Sequence, residues 1–316
     1  MTPISPQEIY LLERYSSAEY FAELRDTWEN MVAHVEGSLE RFMMNLPPDY
    51  RSRPLPEQAD IVWGDRVLPN FRDTFQALCS GSIMLSHGDA AGLHFAHGPR
   101  NDFKGQSEFW SGWMTDAEQA TYSALLNKSV TMASNICATE GAYWEPLSLS
   151  RYSAARGDLN PPPQWPSYKI NKKVSVATGG KIEQSGIYIP SVADSCAEFL
   201  SQKYKEAPAA IVFVEMVDLK HPTTGAKYAE EPRFEARNCV WYLVERDHDP
   251  HNAIPPLTLP IVHAYRVEGG KVCPATGFYL TPARPESRRL FQKGEVMPAF
   301  EATYGMTIWQ WDVHQE

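Results

Sequence analysis

The chain has 316 residues, of which 43% are hydrophobic and 12% are aromatic, enough apolar side chain for more than one hydrophobic core. Its formal net charge of −10 argues against direct binding of nucleic acid, which requires a basic surface to neutralise phosphates. The same charge suits a basic protein partner, because opposite fields speed encounter and favour specific pairing.

Apolar residues at spacings of three and four predict a helical bundle in the first half of the chain. The longest stripe runs from Tyr20 to Leu46 and ends at Pro47-Pro48, where the prolines stop the helix. Residues 1–156 are predicted to form this helical domain. The helix starts, most of them marked by capping patterns, are predicted at Ser5 with Glu8, at Ser16-Ser17, near Glu57, and at Thr115 with Glu118.

A proline-rich segment, GDLNPPPQWP, interrupts the helical pattern, and we predict a linker over residues 157–167. Past it, residues 168–316 are predicted to form a β-rich domain. Paired glycines at 178–181 and 268–271 predict hairpin turns, and Val192–Tyr204 predicts a single helix. The predicted fold is α+β, an N-terminal helical bundle followed by a mainly antiparallel β-sheet or small barrel with one helix. The predicted strands are Lys173–Ala177, Gly186–Pro190, Ala210–Val217, Asn238–Glu245, Ile261–Val267, Gly277–Leu280 and Met306–Trp311.

The acidic charge is concentrated in the helical half. Residues 1–160 contain 12 lysines and arginines against 21 aspartates and glutamates, and residues 161–316 contain 17 against 18. On the second predicted helix, three glutamates spaced seven and four apart share one face. An ordinary solvated helix surface is the alternative interpretation of such a charge run. The predicted partner-binding residues are Glu29, Glu36, Glu40, Asp60 and Asp65, with Asp247 and Asp249 in a separate polar loop.

Patterns that would indicate catalysis are incomplete in this sequence. His87-Gly88-Asp89 matches the run that supplies the base in aminoglycoside-kinase-like folds. However, no asparagine follows at the required spacing, so we predict that Gly88 ends one helix and Asp89 caps the next. His94 and His97 could share a helix face, but no carboxylate of suitable spacing completes a metal site. The sequence therefore predicts no metal, no cofactor and no enzymatic activity, with a phosphotransferase or a non-catalytic adaptor as alternatives.

The five cysteines are isolated from one another and odd in number, which fits a reducing compartment. The first residues, MTPISPQEIYLLERYSS, show neither the basic segment nor the apolar core of a signal peptide. No apolar run approaches the roughly 20 residues that span a bilayer. These observations predict a soluble cytoplasmic protein without a membrane partner, in which Cys196 and Cys273 are buried structural thiols.

The segment from Cys273 to Asp312 is the most specific in the chain. Its alternating tryptophans predict one buried face of a strand, its glycines and Pro298 predict turns, and its arginines can pair with nearby carboxylates. These residue types therefore predict a compact β unit. The informative positions are Cys273, Pro274, Gly277, Pro282, Ser287, Arg288, Arg289, Phe291, Gly294, Met297, Pro298, Thr307, Trp309 and Trp311.

These residues resemble the C-terminal signature of bacterial polymorphic-toxin immunity proteins associated with type VI secretion, the families called immunity protein 71 and immunity protein 72. The likeness extends to Ser185–Tyr188, Asp194–Cys196, Ala207-Pro208 and Trp241–Arg246, and more weakly to Trp63-Gly64, Leu68–Arg72, His87–Asp89 and Lys104–Gln106. It implies that the chain binds and neutralises a cognate antibacterial toxin by stoichiometric occlusion of its active site. The implied partner is a secreted effector, such as a nuclease, with a basic active-site surface.

Overall fold

The computed structural model describes most of the chain, and the predicted contact residue Asp249 and most of the predicted strand Ile261–Val267 lie outside the described residues. Residues 158–161 of the predicted linker lie outside them as well. The described ranges are 1–106, 109–146, 148–151, 156–157, 162–203, 206–223, 227–247, 266–281, 284, 287–300 and 307–312.

The fold is α+β, as predicted, with helices in the first half of the chain and antiparallel sheets in the second. Among the described residues, no helix combines the length and the apolar character needed to cross a membrane. The α-helices are α1 (Pro6–Tyr15), α2 (Ala18–Met44), α3 (Leu68–Ser86), α4 (His97–Gln106), α5 (Asp116–Glu140) and α6 (Ser148–Arg151). A π-helix covers Asp60–Val67, and 3₁₀-helices cover Tyr50–Ser52, Leu55–Glu57 and Ala90–Ala96.

The two N-terminal helix starts differ in how they are capped. Ser17 caps α2 through its side chain, which accepts a hydrogen bond from the Tyr20 backbone N–H at 3.1 Å. Ser5 precedes α1 but its side chain makes no capping hydrogen bond, so the capping box predicted with Glu8 is wrong. Glu8 is itself a buried residue, at 9% exposure.

The helix predicted to begin near Glu57 consists of two segments, the π-helix and α3. The Leu68 N–H donates to the Trp63 carbonyl, five residues earlier, which is the π-helical pattern. Pro69 follows directly, and proline cannot donate a backbone hydrogen bond and clashes with the carbonyl four residues before it. The wider turn accommodates this proline and allows the chain to continue as a helix.

The start of α5 carries the predicted capping box. The Thr115 hydroxyl accepts from the Glu118 N–H at 3.3 Å, and the Glu118 carboxylate accepts from the Thr115 N–H at 2.8 Å. Arg41 of α2 pairs with the same carboxylate at 2.5 Å, and this guanidinium lowers the pKa of Glu118 to about 2. The capping box therefore also ties α5 to α2.

We expect Thr115→Ala to lower the free energy of unfolding by about 1 kcal/mol, because it removes an N-cap acceptor. The midpoint of urea unfolding measures the change. Thr121→Ala is the matched control, since Thr121 lies inside α5 and its hydroxyl only donates back to the Ala117 carbonyl. An equal effect of the two substitutions would contradict the role assigned to Thr115.

Within the described ranges, the strands form two four-stranded antiparallel sheets and one two-stranded ribbon. The first sheet has the order β1-β6-β2-β3, the second has the order β7-β10-β8-β9, and β4 and β5 form the ribbon. The bounds are β1 (Ser167–Ala177), β2 (Gly186–Pro190), β3 (Glu198–Leu200), β4 (Ala210–Lys220), β5 (Lys227–Arg237), β6 (Val240–Asp247), β7 (Arg266–Glu268), β8 (Gly277–Leu280), β9 (Arg289–Phe291) and β10 (Ile308–Trp311).

The helix predicted over Val192–Tyr204 is wrong, and no helix occurs among the described residues after Pro162. Asp194 has a left-handed φ of +55°, which interrupts a helix. The chain is extended beyond it, and residues 196–201 are all buried. Burial on every side favours a covered strand over a helix with one solvent face.

The predicted turns at the paired glycines form, but they do not connect hairpins. Gly179 and Gly270 adopt left-handed φ values of +78° and +85°, which glycine adopts at low cost. The first turn leaves β1, whose neighbour in the sheet is β6 and not β2. The second leaves β7, which pairs with β10.

One hydrophobic core joins the helices to the first sheet. It contains Phe21 and Trp28 of α2 together with Ile187 and Phe199 of the sheet. The boundary between the compact units of the chain therefore differs from the predicted linker at residues 157–167. The first unit is Met1–Pro256 and the second is Leu257–Glu316. The change of secondary structure at the prolines is therefore not a boundary between separate cores.

Candidate functional site

Two of the five predicted acidic contact residues of the helical half are engaged in ion pairs. Glu36 pairs with Arg72 of α3 at 2.6 Å. Asp60 pairs with Arg51 at 2.8 Å and accepts a hydrogen bond from the Tyr50 hydroxyl at 2.5 Å. These contacts fix the positions of α3 and the π-helix, and they reduce the negative field that the two carboxylates present to a partner.

The other three carboxylates remain available at the surface. Glu29, Glu40 and Asp65 are exposed, and none of them takes part in an ion pair among the described residues. Glu29 and Glu40 lie on the same side of α2, about 16 Å apart at 1.5 Å per residue. The π-helix packs beside α2, where a Cβ on Gly64 would lie 3.6 Å from the Leu39 side chain. We call Glu29, Glu40 and Asp65 the acidic surface.

The second predicted contact, at the end of β6, is less accessible. The Asp247 side chain is only 17% exposed and lies 4.0 Å from the Lys169 ammonium. Its position at the end of β6, paired with Ser167 of β1, favours a structural role.

The His87-Gly88-Asp89 run forms a helix junction. Gly88 has a φ of +80°, and the Asp89 carboxylate caps the following 3₁₀-helix by accepting from the Ala91 N–H at 2.9 Å. The capping interpretation is confirmed, and the carboxylate faces its own backbone.

A polar cluster of which the sequence analysis named only the two histidines, and not the carboxylate, lies just beyond this junction. His94 Nδ1 is 3.5 Å and His97 Nε2 is 3.4 Å from the two carboxylate oxygens of Glu140. Lys203 donates to the same carboxylate at 3.0 Å. Glu140 is 4% exposed, and its pKa is lowered although burial raises it, because the Lys203 ammonium and the two imidazoles outweigh the burial. We call His94, His97 and Glu140 the histidine–glutamate cluster.

The local fold explains why these three residues meet. His94 lies in the 3₁₀-helix and His97 follows it, and three residues per turn place positions i and i+3 on one side. The 3₁₀-helix crosses α3 at a glycine pair, where a Cβ on Gly92 would lie 2.5 Å from the Gly81 carbonyl oxygen. This close approach holds the segment against α3 and beside the end of α5, where Glu140 is the last residue.

The second compact unit contains the C-terminal signature, and its described residues form a small β unit. Cys273, Tyr279, Phe291, Met297 and Trp309 are at most 1% exposed and form its core. As predicted, Arg288 pairs with Asp312, and Arg289 pairs with Glu295 at 2.7 Å. Gly294 makes a turn with a φ of +88°. Gly277 is instead the first residue of β8, which corrects its predicted role as a turn former.

An open cavity of about 340 Å³ lies within this unit, and the sequence did not predict it. Three arginines and two aromatic rings line it, so its lining is both charged and aromatic. Arg284 lies over the Phe300 ring, 5.3 Å from its centre. The cavity is lined by Arg284, Ser287, Arg288, Arg289, Pro298, Phe300 and Trp309. Five of these are signature positions, so the signature residues meet at one place.

Comparisons of the chain with known protein families, with curated proteins and with solved structures found no match.

Proposed function

We propose that this protein is an immunity protein that binds a cognate antibacterial effector in the cytoplasm and occludes its active site. The observation that carries the proposal is the acidic surface, three exposed carboxylates in the half of the chain where 21 acidic residues outnumber 12 basic ones. The resemblance of Cys273–Asp312 to the immunity protein 71 and 72 signatures supports it independently. The absence of an enzymatic role remains part of the proposal.

The proposed mechanism is electrostatic docking followed by steric occlusion. A nuclease effector has a basic groove that binds phosphates, and carboxylates on a rigid helix can take the place of those phosphates. Because α2 and the π-helix share a buried core, the carboxylates are held on a rigid scaffold. A rigid surface loses little conformational freedom on binding, which favours affinity.

The function itself is tested with the partner that the protein retains from a lysate of its source cells, identified by mass spectrometry. Co-expression in a sensitive bacterium is expected to restore growth, and the two purified proteins are expected to form a stoichiometric complex by gel filtration. Growth inhibition that persists together with the absence of a complex would contradict the proposal.

For the surface, we expect the triple variant Glu29→Lys, Glu40→Lys and Asp65→Lys to slow association with the effector at least about tenfold, since opposite charges steer encounter. Stopped-flow association rates at low and high salt measure it. The matched control is Glu183→Lys, Glu206→Lys and Glu231→Lys, which changes the net charge equally at exposed positions in the second half. Equal association rates for the two triple variants would contradict the assignment of the acidic surface as the effector-binding site.

A further inference from the structure

The histidine–glutamate cluster has the composition of a transition-metal site. Its three ligand atoms come from separate elements and lie within 4.8 Å of one another. Imidazole and carboxylate ligands together suit zinc and similar ions, whereas calcium and magnesium prefer oxygen ligands alone. We propose that His94, His97 and Glu140 bind a divalent transition-metal ion of the Zn²⁺ type.

The distances fit this proposal. Zinc bound by nitrogen and oxygen at about 2.0–2.1 Å in a tetrahedral site separates neighbouring ligand atoms by about 3.4 Å. His94 Nδ1 and His97 Nε2 lie 3.5 Å and 3.4 Å from the Glu140 oxygens. The imidazole rings are 4.9 Å apart, and small side-chain rotations bring both nitrogens to one ion. The His94 side chain is 61% exposed and has room for that rotation.

The burial of the Glu140 carboxylate favours the binding of a cation. The Glu140 side chain is only 5% exposed, and a buried carboxylate requires a positive partner. Lys203 supplies that charge from the turn after β3, with its ammonium 3.0 Å from Glu140 Oε1. Because the Lys203 side chain is 34% exposed, it can swing into solvent. A metal ion then takes the place of the ammonium on the same oxygen.

Three protein ligands leave at least one coordination position of the metal free. Sites with three protein ligands hold water or another ligand at the fourth position. His94 and His97 lie at the solvent side, so that position faces outward. The cluster is distinct from the acidic surface, and metal binding is independent of the proposed immunity function.

The test is titration of the full-length protein with Zn²⁺ by calorimetry and with Co²⁺ by visible absorption. We expect one equivalent to bind and Co²⁺ to show the intense bands of a tetrahedral site. His94→Ala and His97→Ala should each weaken binding at least about tenfold, since even the groups around metal ligands contribute 10–100-fold to affinity. Both histidines are partly exposed, so the variants retain the core.

His87→Ala is the matched control, because His87 is an exposed histidine near the same helix junction. It should bind the metal like the unaltered protein. Lys203→Met should tighten Zn²⁺ binding by about tenfold, since it removes the cation that competes with the metal for Glu140. Groups that contact metal ligands commonly change metal affinity by about 10–100-fold. Absence of binding, equal affinities for His94→Ala and His87→Ala, or no gain in Lys203→Met would overturn the proposal.

Discussion

Replacing Trp309 with alanine is expected to unfold the second compact unit, the largest effect on stability that we predict for a single substitution. Trp309 is 1% exposed and its ring packs 4.8 Å from the centre of the Phe291 ring. Its indole N–H donates to the Pro298 carbonyl at 2.8 Å. Removing a buried tryptophan costs about 3–5 kcal/mol, a large fraction of the total stability of a domain.

The measurements are near-ultraviolet circular dichroism and limited proteolysis of the full chain. Leu290→Ala is the matched control, because Leu290 precedes Phe291 in β9 but is 48% exposed. We expect the control to leave the proteolytic pattern unchanged and Trp309→Ala to open cleavage sites within residues 257–316. If both variants resist the protease equally, the core assigned to this unit is incorrect.

The second large effect concerns Glu198, whose carboxyl is buried between the helices and the first sheet. It is 5% exposed, and one carboxylate oxygen has no hydrogen-bond partner. Burial raises the pKa of Glu198 well above its usual range, and the charge of Glu8 adds to the shift. Cys196 lies beside it, with its sulfur 3.7 Å from the other oxygen. Burial likewise raises the pKa of Cys196, because taking either group out of water disfavours its charged form.

Because the folded-state pKa of Glu198 is raised, the folded protein holds a proton that the unfolded chain releases above about pH 4.3. The contribution to stability is complete below that pH and is lost as the pH rises towards the folded-state pKa. Glu198→Gln keeps the shape and removes the proton. We therefore expect the variant to gain stability relative to the unaltered protein by up to about 1.4 kcal/mol per pH unit.

Urea unfolding of both proteins between pH 5 and pH 8 measures this difference. Glu183→Gln, at a side chain that is 77% exposed, should show no dependence of this kind. If the free energies of unfolding of Glu198→Gln and the unaltered protein differ by the same amount at every pH, the carboxyl is ionised in the folded protein.

The sequence predicts elements well where one face of an element is buried. In α2, the residues Trp28, Met31 and Val35 recur at helical spacing and are fully buried, so period and burial agree. In β5, KYAEEPRFEAR, charged side chains are exposed along most of the strand. A two-stranded ribbon leaves both faces in solvent, so no alternation marks it, and the sequence analysis did not predict this strand.

The candidate site was harder to predict because its residues meet through packing. His97 and Glu140 are 43 positions apart, and the contact depends on how α5 lies against the 3₁₀-helix. In the sequence, Glu140 is an ordinary acidic residue at a helix end, and nothing indicates its burial. The ion pair of Glu36 with Arg72 could not be predicted either, because it joins two helices and residue spacing describes only one helix at a time.

The position of β6 between β1 and β2 has a consequence for how the protein is made. Translation produces β1 and β2 well before β6, whose residues end at Asp247. Until then the two strands have no common neighbour, and Ile187 and Ile189 cannot complete the core that they share with the helices. Contacts between residues that are distant in the sequence form slowly, and a newly made chain exposes apolar surface until those contacts form. Folding of the helical half on the ribosome is therefore expected to finish only after the residues of β6 have emerged.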